Sequence, residues 1–438
     1  MPGPIDTTTP HHWRKISKEK EIARPVLVGD IDADVTVIGG GFTALVAAIE
    51  FAKAGLRTVV LEQLAIGQGA SGRNNGQVVP HHSKASPAEM CEILGKQRGD
   101  AYNALVVGGA DRVFEHIARY DIQCDGVQRG WIAAAHSQSS LARIRKVSAE
   151  WKAFGAPATF LDAEELERRT GTGNYPGGWT MAHGGHLNPY AFALGMARGA
   201  EQEGATIYEN TGVTRVSADG GGWLVETADP SGTKRGRVRS AKIFIATNAL
   251  TGAFWPNLAR ALVPVRVFQG ATAPISDNIR GTVLPDSPAF GDTRRDIRAY
   301  RLDGTGALVT GGTHTLWHDA AERGRKKLAR HVYETFPQLS SVPIAEYWEG
   351  ILAVVPDRLP RIMRLGPNAI FAGVYSGRGV ALSQQVGALA ARLLLGTQDD
   401  ATSPVQVTGL REVPSHSIAV QVARFIHPIH RIQDRLDK

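Results

Sequence analysis

Residues 32–63 read DADVTVIGGGFTALVAAIEFAKAGLRTVVLEQ. The run DVTVIG is short and β-branched, the pattern of a buried parallel strand. It stops at three glycines and gives way to an alanine-rich helical stretch closed by Gly55. RTVVLE then reads as a second buried strand, so the whole is a β-α-β unit. Gly39, Gly41 and Ala44 supply G-x-G-x-x-A at its first turn. The first glycine allows the tight turn, the second lets a pyrophosphate approach the backbone, and the small third residue lets helix and strand pack closely. N–H groups at the helix start then face phosphates. Glu62 ends the second strand, placed to accept hydrogen bonds from a ribose. Strand, turn, helix and acid together predict a bound dinucleotide.

The rest of the chain decides how that unit is used. At 438 residues it is long enough for two or three domains with full cores. Composition is globular, 43% hydrophobic and 21% charged, with no tract that suggests disorder. The net charge of +7 is spread along the chain, which favours solubility and anionic small molecules rather than nucleic acid. The basic clusters TKRGRVR (233–239) and RGRKK (323–327) fit a hairpin turn and the polar face of a helix. Cys91 and Cys124 are the only cysteines and match no metal spacing, so no metal is expected and both read as inert buried thiols. The N-terminus lacks the apolar core of a signal peptide, and no window of about 18 apolar residues exists. A cytoplasmic protein with no integral membrane segment is expected.

Along the chain, 88–122, 139–155, 163–170 and 320–339 have helical periodicity, and 188–216 reads as a helix followed by strands. Short alternating strands dominate 262–315. The stretch GASGRNNGQ (69–77) has no large apolar side chain. A second strand, glycine turn and helix return in FAGVYSGRGVALSQQVGALA, near residue 375. Nicotinamide dehydrogenases place their fingerprint within six alternating strands and helices. Here the alternation breaks after the second strand, and a cofactor held at both ends of the chain suits a permanently bound flavin better. The expected fold is α/β (α+β), with a Rossmann-like cofactor domain formed by 30–92, 158–256 and 348–405. A substrate domain with a mainly antiparallel sheet takes 93–157 and 257–347. Residues 1–29 read as an irregular arm and 406–438 as a tail, in which 417–438 fit one proline-broken amphipathic helix.

Seven motifs, in order, resemble one family. They are VIGGGFTALVAA, IGQGASGRNNGQ, GGHLNPYAFALGMA, AKIFIATNALTG, YRLDGTGALVTGG, PDRLPRI and GVYSGRGVALSQQVG. Over about residues 30–400 the chain resembles the D-amino-acid oxidase/glycine oxidase-like flavoproteins of the glutathione-reductase type, and among them the bacterial γ-glutamylputrescine oxidases. The resemblance implies FAD. Gly39, Gly41, Ala44, Glu62 and Gln63 would hold its ADP half, with backbone at Val213 near the adenine and Thr247 nearby. Ser71, Gly72, Arg73 and Asn74 would line the path from pyrophosphate to isoalloxazine. Gly377, Arg378, Gly379 and Val380 would lie by the ring, at a helix N-terminus that favours negative charge. Two positions depart from close relatives, which often carry Gly and His where Asn75 and Arg378 stand. Asn75 is expected in a left-handed conformation, which Asn tolerates. Asn74 falls where some relatives attach FAD through a histidine, and no cysteine follows Cys124, so FAD is expected to be non-covalent.

The implied chemistry is hydride transfer from a C–H beside nitrogen to flavin N5, giving an imine that water hydrolyses to a carbonyl and a released amine. Tyr300, Arg301 and Trp348 are the candidate substrate contacts, since Arg can fork onto a carboxylate and aromatics can wall a pocket. His82 is added because HH at 81–82 follows the cofactor loop; adjacent residues of a strand point opposite ways, so one of the pair at most serves the site. His183 and His186 read as turn residues at the domain junction. The donor is expected to be a γ-glutamylated or similar amine, with a sarcosine- or glycine-type amino acid as the alternative. A flavoprotein module in tRNA modification is a further alternative of another class. The electron acceptor is O2 or another carrier; the absence of lysine from 261–275 favours the latter. Oligomeric state is not legible.

Overall fold

In the first of two large sheets, five strands run parallel: Ala369–Gly373, Arg235–Ile245, Gly29–Ile38, Thr58–Leu61 and Thr206–Tyr208. The computed structural model describes residues 9–83, 85–296, 298–313 and 320–423. Val35, Val37 and Ile38 are buried in the central strand, which pairs Ile38 with Leu61 on one side and with Ile245 on the other. Strand ends therefore line up at one edge, where both glycine turns leave the sheet. The sheet is extended by Arg361–Gly366 and Val407–Gly409, and by the hairpin Gly212–Asp219 with Gly222–Ala228.

Two helices leave that edge, Phe42–Lys53 and Gly379–Leu395. Both are rich in alanine and most of their residues are buried. They touch at Gly387, where any side chain would lie 2.7 Å from the Thr43 carbonyl. The predicted helix over 88–122 breaks at Gly95 (φ +79°) into Pro87–Leu94 and Lys96–Arg119.

The second sheet has eight strands in the order Ile344–Val354, Val263–Thr272, Leu308–Thr313, Ala299–Leu302, Ala289–Asp292, Trp131–Ala134, Gly178–Met181 and Ala158–Leu161. One pair, Ala289–Asp292 with Trp131–Ala134, is parallel and the rest antiparallel. The mixed α/β architecture and the mainly antiparallel second sheet meet the expectation. The expected boundaries differ. Residues 158–161 and 178–181 pair in the second sheet, although the sequence suggested they belong with the first. Strand Ile344–Val354 likewise runs across the expected division at 347/348.

The larger surprise is the N-terminal arm. His11, His12 and Trp13 are buried, Trp13 completely, in the seam between the second sheet and the glycine loop. The tail enters a helical stretch at 416–423; most of the amphipathic segment expected there lies outside the described residues.

Candidate active site

The fingerprint turn is built as its glycines require. Gly39 has φ +104°, and a Cβ there would stand 3.0 Å from the Ala246 carbonyl oxygen. Gly41 caps the helix, whose first N–H, from Phe42, donates to Ser71 Oγ at 3.1 Å. Ala44 is fully buried under the helix. Glu62 accepts from Gly40 N at 2.6 Å and from Leu64 N at 2.8 Å. Burial pushes the Glu62 carboxyl pKa up, against the pull of these backbone bonds. The Thr211 amide donates to the Glu62 carbonyl at 2.8 Å, which brings Val213, two residues on, to the same corner. Gln63 is exposed there, and Thr247 follows the Ala246 carbonyl that crowds Gly39.

The loop GASGRNNGQ runs beside this turn, and its polar side chains mostly serve the loop itself. Asn74 Nδ2 donates to the carbonyls of Ser71 (2.7 Å) and Ala70 (3.2 Å), while its Oδ1 accepts from Gly76 N at 2.7 Å. Arg73 is buried and donates to the carbonyls of Gln68 (2.8 Å) and Glu349 (3.2 Å). Gly72 is buried where a Cβ would meet the Gly67 carbonyl. Asn75 does not adopt the expected left-handed conformation. Gly76 does, at φ +77°, because a Cβ there would lie 2.1 Å from the Leu187 carbonyl. Asn75 instead donates through Nδ2 to Gln269 at 2.9 Å.

The four residues expected to meet substrate are all buried among protein groups. Tyr300 and Arg301 are neighbours in a central strand and so point to opposite faces. Tyr300 faces the helix Ala320–Thr335, its hydroxyl shared with the His331 carbonyl and Thr335. Arg301 is buried, with its guanidinium on the carbonyls of Asn75 (2.7 Å), Leu187 (2.7 Å) and Leu302 (3.3 Å). Both are engaged by protein partners on their own face of the strand. Trp348 is also buried, its Nε1 donating to the Arg73 carbonyl at 2.9 Å. The fourth, His82, stacks on Tyr102 and bonds Asn103 Oδ1 at 2.6 Å.

Its neighbour His81 faces the other way. The His81 ring lies 4.5 Å from that of Trp131, and the Arg378 guanidinium sits over the same indole at 5.7 Å. Trp131 in turn donates to Gln77 at 3.1 Å, at the exit of the glycine loop. Arg378 caps the helix Gly379–Leu395, after a turn in which Val374 (φ +63°), Ser376 (φ +47°) and Gly377 (φ +92°) are all left-handed. For a β-branched residue such as Val374 this is a strained backbone, held in part by the hydroxyl bond of Tyr375 to Thr43 at 2.6 Å. Val380 is buried in the helix's first turn. Ser376 Oγ, Arg378 Nε and His81 Nε2 are buried without a hydrogen-bond partner. Arg378 is half-buried; burial, then the nearby Arg358 charge, lower its pKa to about 10, so it stays a cation at neutral pH. Burial and the Arg378 charge hold His81 neutral.

Residues 34–393 match the family described as DAO: FAD dependent oxidoreductase. This chain belongs to that family. It is 30% identical over 368 residues to the γ-glutamylputrescine oxidoreductase of Escherichia coli (strain K12), covering 84% of each chain. It is 29% identical over 388 residues to the probable oxidoreductase OrdL of Rhizobium meliloti (strain 1021), covering 88% of each. The crystal structure of glycine oxidase from Geobacillus kaustophilus superposes with a TM-score of 0.69 at 19% identity, over 84% of this chain and 96% of that one. As a DAO-family member the protein is an FAD-dependent enzyme of amine or amino-acid oxidation. Its own groups fit the cofactor. The fingerprint offers a helix start that no Cβ obstructs, with Glu62 at the strand end. The unpartnered polar atoms of the second turn match the polar edge of a flavin or of its substrate. Sequence reasoning passed over Trp131 and Ser376; nothing in the local pattern GWIAAA marks Trp131, whose partners Gln77, His81 and Arg378 come from far along the chain.

Proposed function

We propose that this oxidoreductase acts on an amine that also carries a carboxylate, with a γ-glutamylated amine first and an N-substituted amino acid second. The observation that carries this reading is Arg378. Its guanidinium is half-buried over Trp131 and has no acidic partner among the described residues; the charge that acts on it is another cation, Arg358. A half-buried cation without an acidic partner is incompletely compensated, so an anionic ligand is its natural complement. The similarity to a γ-glutamylputrescine oxidoreductase supports the choice of class.

The chain's own groups account for the amine end as well. The His81 Nδ1 contact with the His82 carbonyl (2.7 Å) requires the proton on Nδ1, which leaves Nε2 as a lone-pair acceptor. A neutral amine can donate an N–H to it. Two arginines nearby disfavour a second positive charge, so the donor's nitrogen is bound unprotonated, with its lone pair free. Trp131 supplies a flat wall beside the reacting carbon. Bound FAD supplies the two-electron acceptor for the donor C–H. We further propose that the flavin is non-covalent, that the enzyme is cytoplasmic, and that an acceptor other than O2 reoxidises it.

The test is anaerobic mixing of the yellow protein with γ-glutamylamines, N-methyl amino acids and plain diamines. Carboxylate-bearing donors should bleach the flavin. Arg378→Met should raise KM for them by about 10–100-fold, as loss of a charge-assisted bond does. Equal bleaching by plain diamines, or an unchanged KM in Arg378→Met, would refute the proposal.

A further inference from the structure

Three consecutive carbonyls of the glycine loop each receive one side-chain donor. Trp348 Nε1 donates to Arg73 O at 2.9 Å, Trp13 Nε1 to Asn74 O at 2.8 Å, and Arg301 Nε to Asn75 O at 2.7 Å. The donors also hold one another. The Arg301 guanidinium lies 4.2 Å from the centre of the Trp13 ring, and Trp13 meets Trp348 edge to face at 5.6 Å. His12 stacks on Trp348 at 5.5 Å and bonds Asp303 at 2.6 Å.

Trp348 and Arg301 stand in the second sheet. Trp13 belongs to the arm, outside both sheets, and the arm is tied down well beyond it. Glu19 accepts from Arg198 (2.9 Å) and from the Gln123 amide (2.8 Å), and Arg24 forks onto Glu201 at 2.7 and 2.8 Å. The loop it grips has no large apolar side chain to pack as a core and closes only part of its shape through Asn74, and ordering a backbone costs roughly 1–2 kcal/mol per residue. Its other end touches the cofactor turn through Ser71 Oγ and Phe42 N.

We infer that the arm is a clamp on the cofactor loop. Trp13 is a positioning residue that, with Trp348 and Arg301, sets Gly69–Gln77 against the fingerprint turn, so that arm docking and FAD binding are one linked equilibrium. Each favours the same loop shape, and so each strengthens the other. The inference stands whichever amine is the donor.

Trp13→Phe is the sharpest probe. It keeps an aromatic ring against Arg301 and Trp348 but leaves the Asn74 carbonyl bare. In flavin-stripped, full-length protein titrated with FAD, the Kd should rise about ten-fold, the scale of one buried hydrogen bond. The visible circular dichroism of the bound flavin should change with it. Trp223→Phe is the control: its indole also donates to a carbonyl, that of Pro367 at 3.1 Å, nearer the surface and away from the clamp. It should keep the wild-type Kd. If Trp13→Phe is destabilised equally with and without FAD and binds FAD normally, Trp13 is structural only and the inference fails. Should that variant not fold, trypsin cleavage of the wild type at Lys18 and Lys20 decides. Saturating FAD should slow it at least about ten-fold, while cleavage in the hairpin at Lys234 is unchanged. Equal rates at Lys18 and Lys20 with and without FAD would overturn the clamp.

Discussion

The Gly39–Ala44 turn and the Gly69–Gln77 loop are both glycine-rich and meet at Ser71 and Phe42, yet they are held in opposite ways. The turn is braced by the strand before it and the helix after it, by Glu62 on the Gly40 amide, and by the next strand at the Ala246 carbonyl. The loop closes part of its own shape through Asn74, but its carbonyls are gripped by side chains from residues 13, 301 and 348. One element carries its conformation in its own sequence. The other borrows it from three remote segments, and therefore answers to changes far from the cofactor.

The contrast is most exposed at Arg301. Arg301→Met strips donors from the carbonyls of Asn75, Leu187 and Leu302, and should cost about 3–5 kcal/mol in urea unfolding, the scale of removing a fully engaged buried charge. Arg301→Lys should recover little, since an ammonium cannot reproduce the fork. Wild-type stability in Arg301→Met would mean that the loop holds itself after all. On the other side of the comparison, Gly39→Ala places a Cβ at φ +104° against the Ala246 carbonyl. A cost of about 1–3 kcal/mol is expected in thermal unfolding, with loss of bound flavin; retention of both would show the turn to be slack.

The smallest effect concerns acid. Burial, then the Arg378 charge, hold the His82 pKa near about 4, against the pull of its Asn103 bond. The unfolded chain takes up that proton below about pH 6.5, so stability is lost as pH falls from there toward about 4. His82→Gln should flatten the dependence of unfolding free energy on pH across this window by at most about 1.4 kcal/mol per unit. The fingerprint turn contains no histidine, so Gly39→Ala should leave that slope unchanged. An unaltered slope in His82→Gln would show that the histidine is not held neutral.

These differences explain what was legible. The fingerprint, the second glycine turn and the mainly antiparallel sheet follow from local patterns, because periodicity and turn residues report on near neighbours. The burial of Tyr300 and Arg301 was not legible because their strand is covered on both faces, one by the helix Ala320–Thr335 and the other by loop and arm. Period two alone already forbade placing both in one pocket. At Asn75 the left-handed residue is the next one, since only Gly76 fits under the Leu187 carbonyl. His81 rather than His82 faces Trp131, a choice that depends on which way the strand enters the seam. The arm looked irregular because it is: its order comes from partners such as Asn74, Asn188 and Asp303, at separations of 61, 175 and 291 residues.

That last separation has a kinetic consequence. A ribosome adds about 5–20 residues per second, so His12 waits roughly 15–60 s for Asp303 to be made. During that interval the earliest described segment of the chain, with its indole and two imidazoles, has only part of its site, and it is among the last pieces able to dock fully. A bulky N-terminal fusion would act on this step, slowing maturation of the flavoenzyme without touching a residue of its catalytic centre.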